Sequence, residues 1–343
     1  MNRNSHLAFL ILFVTMFQLS GNSFARPSLA EIRTGIDLSI SEKYEEAIKH
    51  FTTLKTSYPL SPAGSFFLAA LWQSMMMDFE TKEWEANFYD EINNAIESAR
   101  HALKKNKSDA NLQFFYGGAL AYKSFQLARD KKYPAAIRTA IISIKELKKV
   151  NKIDSTFCDS YLGIGSYQYW RSRLTKKFSW LPFFPDRRKE GLDKIERVSE
   201  CGIYSKWAAL SNLAWIYIEE KNYRKAIECA RAGLDRFPDS RFFLWPLGDA
   251  QFRNGDYENA SQTYHKILDS VVSQSFNNHY NEILLHYKLG QCYAKMEKYQ
   301  AAKIECEKAI ALKAAEEVAK RAHKKKKAAV KLLARINKKV TSN

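Results

Sequence analysis

Glycine and proline are scarce in this 343-residue chain, at 13 and 8 copies, and cysteine appears only five times. So little glycine and proline leaves few turn formers, and 46% hydrophobic residues with 13% aromatics argue against an intrinsically disordered chain. Five scattered cysteines (Cys158, Cys201, Cys229, Cys292 and Cys306) exclude a small fold built on disulfides, and their odd number leaves one thiol unpaired in a monomer. The usual catalytic signatures are missing as well. There is no Gly-x4-Gly-Lys-Ser/Thr phosphate loop, no His-Glu-x-x-His and no Gly-x-Ser-x-Gly elbow. The histidines show no ligand spacing, so neither metal nor cofactor is expected, and no enzyme activity.

What is present starts at the N-terminus. Arg3 precedes an apolar run from Leu7 to Leu19, and Ser23-Phe24-Ala25 supplies a small-x-small cleavage pattern. The run is short for a membrane span, which takes about 20 residues. Residues 1–25 therefore read as a signal peptide, with an uncleaved inner-membrane anchor as the alternative. Export to a periplasm or cell envelope follows as the expectation.

Charge is uneven. The formal net charge is +17, and from Lys313 to Asn343 eleven Lys or Arg stand against Glu316 and Glu317, a net of +9. A solvated closing helix over 314–343 is the plain reading of that stretch, with attraction to an anionic membrane or cell-wall surface as the alternative. Export makes nucleic acid the least fitting partner.

The dominant signal is a repeat. A Tyr-x-x-Ala pair recurs in "KYEEAIKHF" (43–51), "KYPAAIRTA" (132–140), "NYRKAIECA" (222–230), "DYENASQTY" (256–264) and "KYQAAKIEC" (298–306). Tyr223 and Tyr257 are 34 residues apart, and Tyr257 and Tyr299 are 42 apart, an insertion of eight. Leu213-Ala214, Tyr217, Ala226 and Pro238 form one set, Leu247-Gly248, Ala260 and Tyr264 a second, and Leu289-Gly290, Tyr293, Ala302 and Ala309 a third. Gly35, Ala47, Phe51 and Pro59 form a fourth near the start. On these residues the chain resembles the tetratricopeptide repeat family, whose small positions let two antiparallel helices approach while bulky ones fill the gap between them.

That resemblance implies an all-α, right-handed superhelical solenoid of helical hairpins over 27–313, clearest at 207–240, 241–270 and 283–313. Copies in the first half look stretched, in their helices or in their connections. It also implies a non-enzymatic scaffold that binds a protein or peptide partner in a concave groove. In the family's frame the groove-facing slots hold Ser211, Trp215, Trp245, Asp249, Arg253, Tyr287, Lys288 and Gln291. The Lys and Asn clamp of chaperone-binding members is absent from those slots. The groove reads as aromatic instead, with plain packing between repeats as the other role open to Trp215 and Trp245.

One further copy carries an insertion. "TFCDSYLGIGSYQYWRSRL" (156–174) and "RKEGLDKIERVSECG" (188–202) read as its two helices, joined by an unusually long connection over 174–189. Over about 157–192 this arrangement is similar to the long repeat proteins linked to inclusion-body clearance. Phe178, Trp180, Phe183 and Phe184 crowd the connection between basic flanks. A cap over the groove is the preferred reading, and a contact with a partner or an envelope surface is the alternative. The same hairpin would bring Cys158 beside Cys201. Two buried thiols are the favoured expectation there, with a disulfide as the alternative.

Overall fold

The computed structural model describes residues 25–175 and 185–341. Among them fifteen α-helices and no strand form an all-α solenoid. The helices are α1 (Leu29–Ile40), α2 (Tyr44–Ser57), α3 (Ala63–Asp78), α4 (Glu85–Lys105) and α5 (Ala110–Arg129). Then come α6 (Tyr133–Ile153), α7 (Ser160–Leu174), α8 (Arg188–Cys201), α9 (Lys206–Glu219) and α10 (Tyr223–Leu234). The last are α11 (Arg241–Arg253), α12 (Tyr257–Val272), α13 (Tyr280–Lys295), α14 (Tyr299–Ala311) and α15 (Glu316–Thr341). Successive pairs make seven hairpins, and α15 closes the stack against α13 and α14.

The repeated tyrosine opens the second helix of a hairpin in all five copies: α2, α6, α10, α12 and α14. The turn before it is the same each time. Two residues ahead of the tyrosine stands a residue with positive φ: Glu42, Lys131, Lys221, Gly255 and Glu297. The amide that follows reaches back five residues, as from Lys43 to Leu38 and from Asn222 to Tyr217. This closes the first helix with the 6→1 bond of a left-handed cap. Only Gly255 takes that conformation without steric cost. The alanine three residues after each tyrosine (Ala47, Ala136, Ala226, Ala260 and Ala302) is buried against the first helix of its pair.

The stretched copies are long in their helices. Helices α4 and α6 each run 21 residues and α5 runs 20, against 14 and 12 in the hairpin of α9 and α10. Helix α3 is apolar around most of its circumference, and Phe66, Phe67, Leu68, Leu71, Met75 and Met76 are all buried. A helix of that pattern must be enclosed, and it is. Phe66 and Phe67 pack on Phe115, and Tyr204 of the 202–205 connector packs on Phe67, Phe114 and Phe157. Asp159 pins that connector by accepting the amides of Ile203, Tyr204 and Ser205, at 3.0, 2.8 and 2.6 Å.

Cys158 and Cys201 are joined by a disulfide with Cα atoms 6.0 Å apart. The favoured expectation of two buried thiols is therefore corrected. Cys158 leads into α7 and Cys201 ends the antiparallel α8, so the hairpin itself brings the two chains within bridging distance. Gly165 and Gly191 set that closeness, because a Cβ at either would lie 2.6 Å from the other's carbonyl oxygen. The leader region, Ala25 excepted, lies outside the described residues. So do Phe178, Trp180, Phe183 and Phe184.

Candidate partner-binding groove

The first helices of the last three hairpins, α9, α11 and α13, carry the groove slots read from the sequence. Their side chains divide into three groups. Trp215 on α9 is 38% exposed, and Arg253 at the end of α11 is also exposed. Trp245, Tyr287 and Gln291 are half-buried, and Trp245 packs on the apolar cluster of Leu244, Tyr264 and Leu285. Asp249 and Lys288 are committed to each other across the α11–α13 boundary. Lys288 Nζ stands 2.6 Å from Asp249 Oδ1, which also accepts the Tyr264 hydroxyl at 2.8 Å. The ammonium lies 5.0 Å from the centre of the Tyr264 ring. Ser211 is buried and donates to the Phe242 carbonyl at 3.3 Å, so this slot serves the packing of α9 on α11.

Sequence reading missed a second polar centre, which lies where the solenoid closes on itself. Arg241 opens α11 and is 1% exposed. Its guanidinium meets Asp78 at the end of α3, with Nε 3.0 Å from Oδ1 and Nη2 2.5 Å from Oδ2. On its other edge Nη1 lies 2.9 Å from Glu42 and also bonds Ser270. The Phe242 amide donates to Glu42 at 3.2 Å and the Tyr44 hydroxyl to Asp78 at 2.7 Å. One cation thus faces two carboxylates in a buried space. Desolvation and the Asp78 charge together push Glu42 up to about 8.

Further ties flank this clasp. Phe276, in the connector that holds the eight-residue insertion, packs edge-on against Phe79 and Trp84, with ring centres 5.7 and 5.1 Å away. Asn278 donates to the Phe79 carbonyl at 2.8 Å, and Thr81 donates to Glu317 of α15 at 3.0 Å. Arg321 pairs with Glu80, and Arg236 meets Asp37 at 2.7 Å. The first two hairpins are therefore joined to the last ones through residues about two hundred positions apart. A single arginine at the head of the apolar "RFFLWPLGDA" was the one sequence signal for this clasp, and nothing in the sequence named its partners.

Chemistry elsewhere is quiet. Burial pushes the Cys229, Cys292 and Cys306 thiols up to about 11, 12 and 11, away from the reactive thiolate. Among the described residues no three His, Cys, Asp or Glu gather as metal ligands, and no helix is long and apolar enough to cross a membrane.

Comparison with known proteins agrees with the hairpin geometry. Two family profiles, each described as tetratricopeptide repeat, match residues 211–271 and 284–316. These two segments are tetratricopeptide repeats. No curated protein sequence matches the repeat protein. Among solved structures, the APC/C hetero-tetramer Cut9–Hcn1 aligns at 12% identity over 98% of this chain and 60% of its own, with a TM-score of 0.53. YrrB, a TPR protein with an unusual peptide-binding site, aligns at 16% identity over 67% of this chain and 99% of its own, TM-score 0.45. The C-terminal part of a TPR repeat-containing protein from Cytophaga hutchinsonii aligns at 18% over 86% of this chain and 98% of its own, TM-score 0.43. At 12% identity the Cut9–Hcn1 likeness is one of fold. The tetratricopeptide fold suggests a protein-interaction scaffold.

Proposed function

We propose that this protein is an exported scaffold that binds a peptide or partner helix along the face of α9, α11 and α13. The observation that carries the reading is Trp215, a large aromatic held 38% exposed on a helix whose Leu213, Ala214, Ile216 and Tyr217 are buried. An exposed tryptophan on a rigid helix is the kind of side chain that dominates binding energy at interfaces. Arg253 lies exposed on the same series of helices, and the Asp249–Lys288 pair stiffens the wall between α11 and α13. Trp245, Tyr287 and Gln291 complete the proposed contact surface. The role is one of binding and not of catalysis.

The Cys158–Cys201 disulfide supports an oxidising destination such as a periplasm or cell envelope, since disulfides persist there and are rare in the cytosol. A second reading places the protein on the envelope surface through the 174–189 connection and the basic tail. It draws support from α15, which leaves Lys320, Lys324, Lys327, Lys331 and Lys338 exposed. The groove is tested by placing a photo-crosslinking residue at 215 and, as a control, at Arg224 on the exposed face of α10. A discrete adduct in envelope fractions from position 215 and none from 224 is the expected result. Equal labelling from both positions would count against the groove.

A further inference from the structure

The outer face of α6 has no counterpart in the groove reading. Tyr133, Ile137 and Ile141 stand four residues apart on one side of the helix, and the two isoleucines are 61% and 56% exposed. The same strip continues as Lys145, Lys148 and Lys152, all exposed. From Lys131 to Lys152 the chain holds seven Lys or Arg against one acid, Glu146. Glu146 is turned inward, where it accepts from Gln113 at 2.8 Å and from Lys149 at 2.7 Å. Helix α7, the next in the chain, also bears exposed apolar side chains. Trp170 and Leu174 lie on the same face of α7 as Gly163, the residue that abuts Leu147 of α6. Both side chains are exposed.

A helix buried in a stack has no use for three protruding apolar side chains in a row. Exposed apolar side chains beside a cluster of lysines supply the two forces that hold a protein on an anionic lipid surface, insertion at the interface and attraction to the headgroups. Isoleucine and tryptophan enter the headgroup boundary, while lysines beside them meet anionic headgroups. The strip runs along one helix, α6, and is exposed over its length. The charge around it selects a negatively charged surface.

We propose that the α6 face docks on an anionic phospholipid bilayer, with Ile137 and Ile141 inserted among the headgroups and Lys145, Lys148 and Lys152 resting on them. This contact is separate from the α9–α11–α13 groove. One molecule could therefore hold a partner while lying on a membrane.

Vesicle co-sedimentation of the mature chain tests the proposal. Vesicles containing phosphatidylglycerol should pull the protein down, and pure phosphatidylcholine vesicles should not. The double variant Ile137→Glu/Ile141→Glu should lose more than about tenfold in binding, because two apolar side chains can no longer enter the interface. Each Lys→Gln change at 145, 148 or 152 should cost about fivefold. The double variant should keep its Tm, since both side chains are exposed, and should still give the adduct from position 215. Equal sedimentation of the double variant and the parent would overturn the proposal. So would a sharp fall in its Tm, which would mean that the chain covers this strip itself. A parent that dimerises through the strip and ignores vesicles would overturn it as well.

Discussion

Replacing Arg241 by methionine is the most direct probe of the closed solenoid. The substitution keeps most of the aliphatic volume and removes the cation that Asp78 and Glu42 face. Breaking a buried ion pair on one side costs about 3–5 kcal/mol, because a charge is left in a poorly solvating site. In chains of 150–250 residues each kcal/mol moves Tm by roughly 2–4 °C, and a 343-residue chain sits near the low end, so the expected fall is on the order of 6–10 °C. Circular dichroism melting reads it. The pH profile carries independent information. The folded protein holds the Glu42 proton up to about 8, whereas the unfolded chain releases it near the ordinary value of 4.5. Between those values the folded state binds the extra proton, so this contribution is complete below 4.5 and is lost as pH rises through about 8. The parent should therefore melt lower at pH 9 than at pH 6. Glu42→Gln should flatten that slope, since an amide neither titrates nor carries a second negative charge. In the Arg241→Met background, Glu42→Gln should recover part of the lost stability. An unchanged Tm for Arg241→Met, or the full slope persisting in Glu42→Gln, would refute the clasp.

Two other predictions concern the α7–α8 hairpin. Reducing the disulfide, or the double change Cys158→Ser/Cys201→Ser, should lower stability by about 2–4 kcal/mol in urea titration, as expected for a cross-link that closes a loop of 43 residues. Gly165→Ala should cost about 1–3 kcal/mol, because the new methyl would sit 2.6 Å from the Gly191 carbonyl and the helices would have to separate. A melting curve indistinguishable from the parent's would show that Gly165 does not set the spacing of the two helices.

The hairpin architecture was legible from local sequence alone. A tyrosine with an alanine three residues later marked the second helix in five copies, because the geometry of two touching helices demands a small residue at that spacing. The stretched copies were legible only as an ambiguity. Periodicity continues smoothly through a lengthened helix, and nothing in "SFFLAALWQSMMMD" says whether an apolar run is enclosed by neighbours or exposed. The groove slots came from the family frame, but their roles diverged in space. Asp249 and Lys288 look like free charges in sequence and are spent on each other.

What this sequence determined by itself was the unit: helix, left-handed turn, tyrosine-led helix, repeated. Those features rest on contacts between residues a few turns apart, which spacing encodes directly. Only the tertiary structure decided how far the stack curls. Curvature accumulates from small angles at each junction, and it brings Glu42 and Asp78 to Arg241 and Phe79 to Phe276. Pairs some two hundred residues apart leave no pattern in a single sequence, because any buried arginine could have met any carboxylate. The same curl decides which faces remain outside. It buries α3 and leaves Tyr133, Ile137 and Ile141 of α6 in solvent.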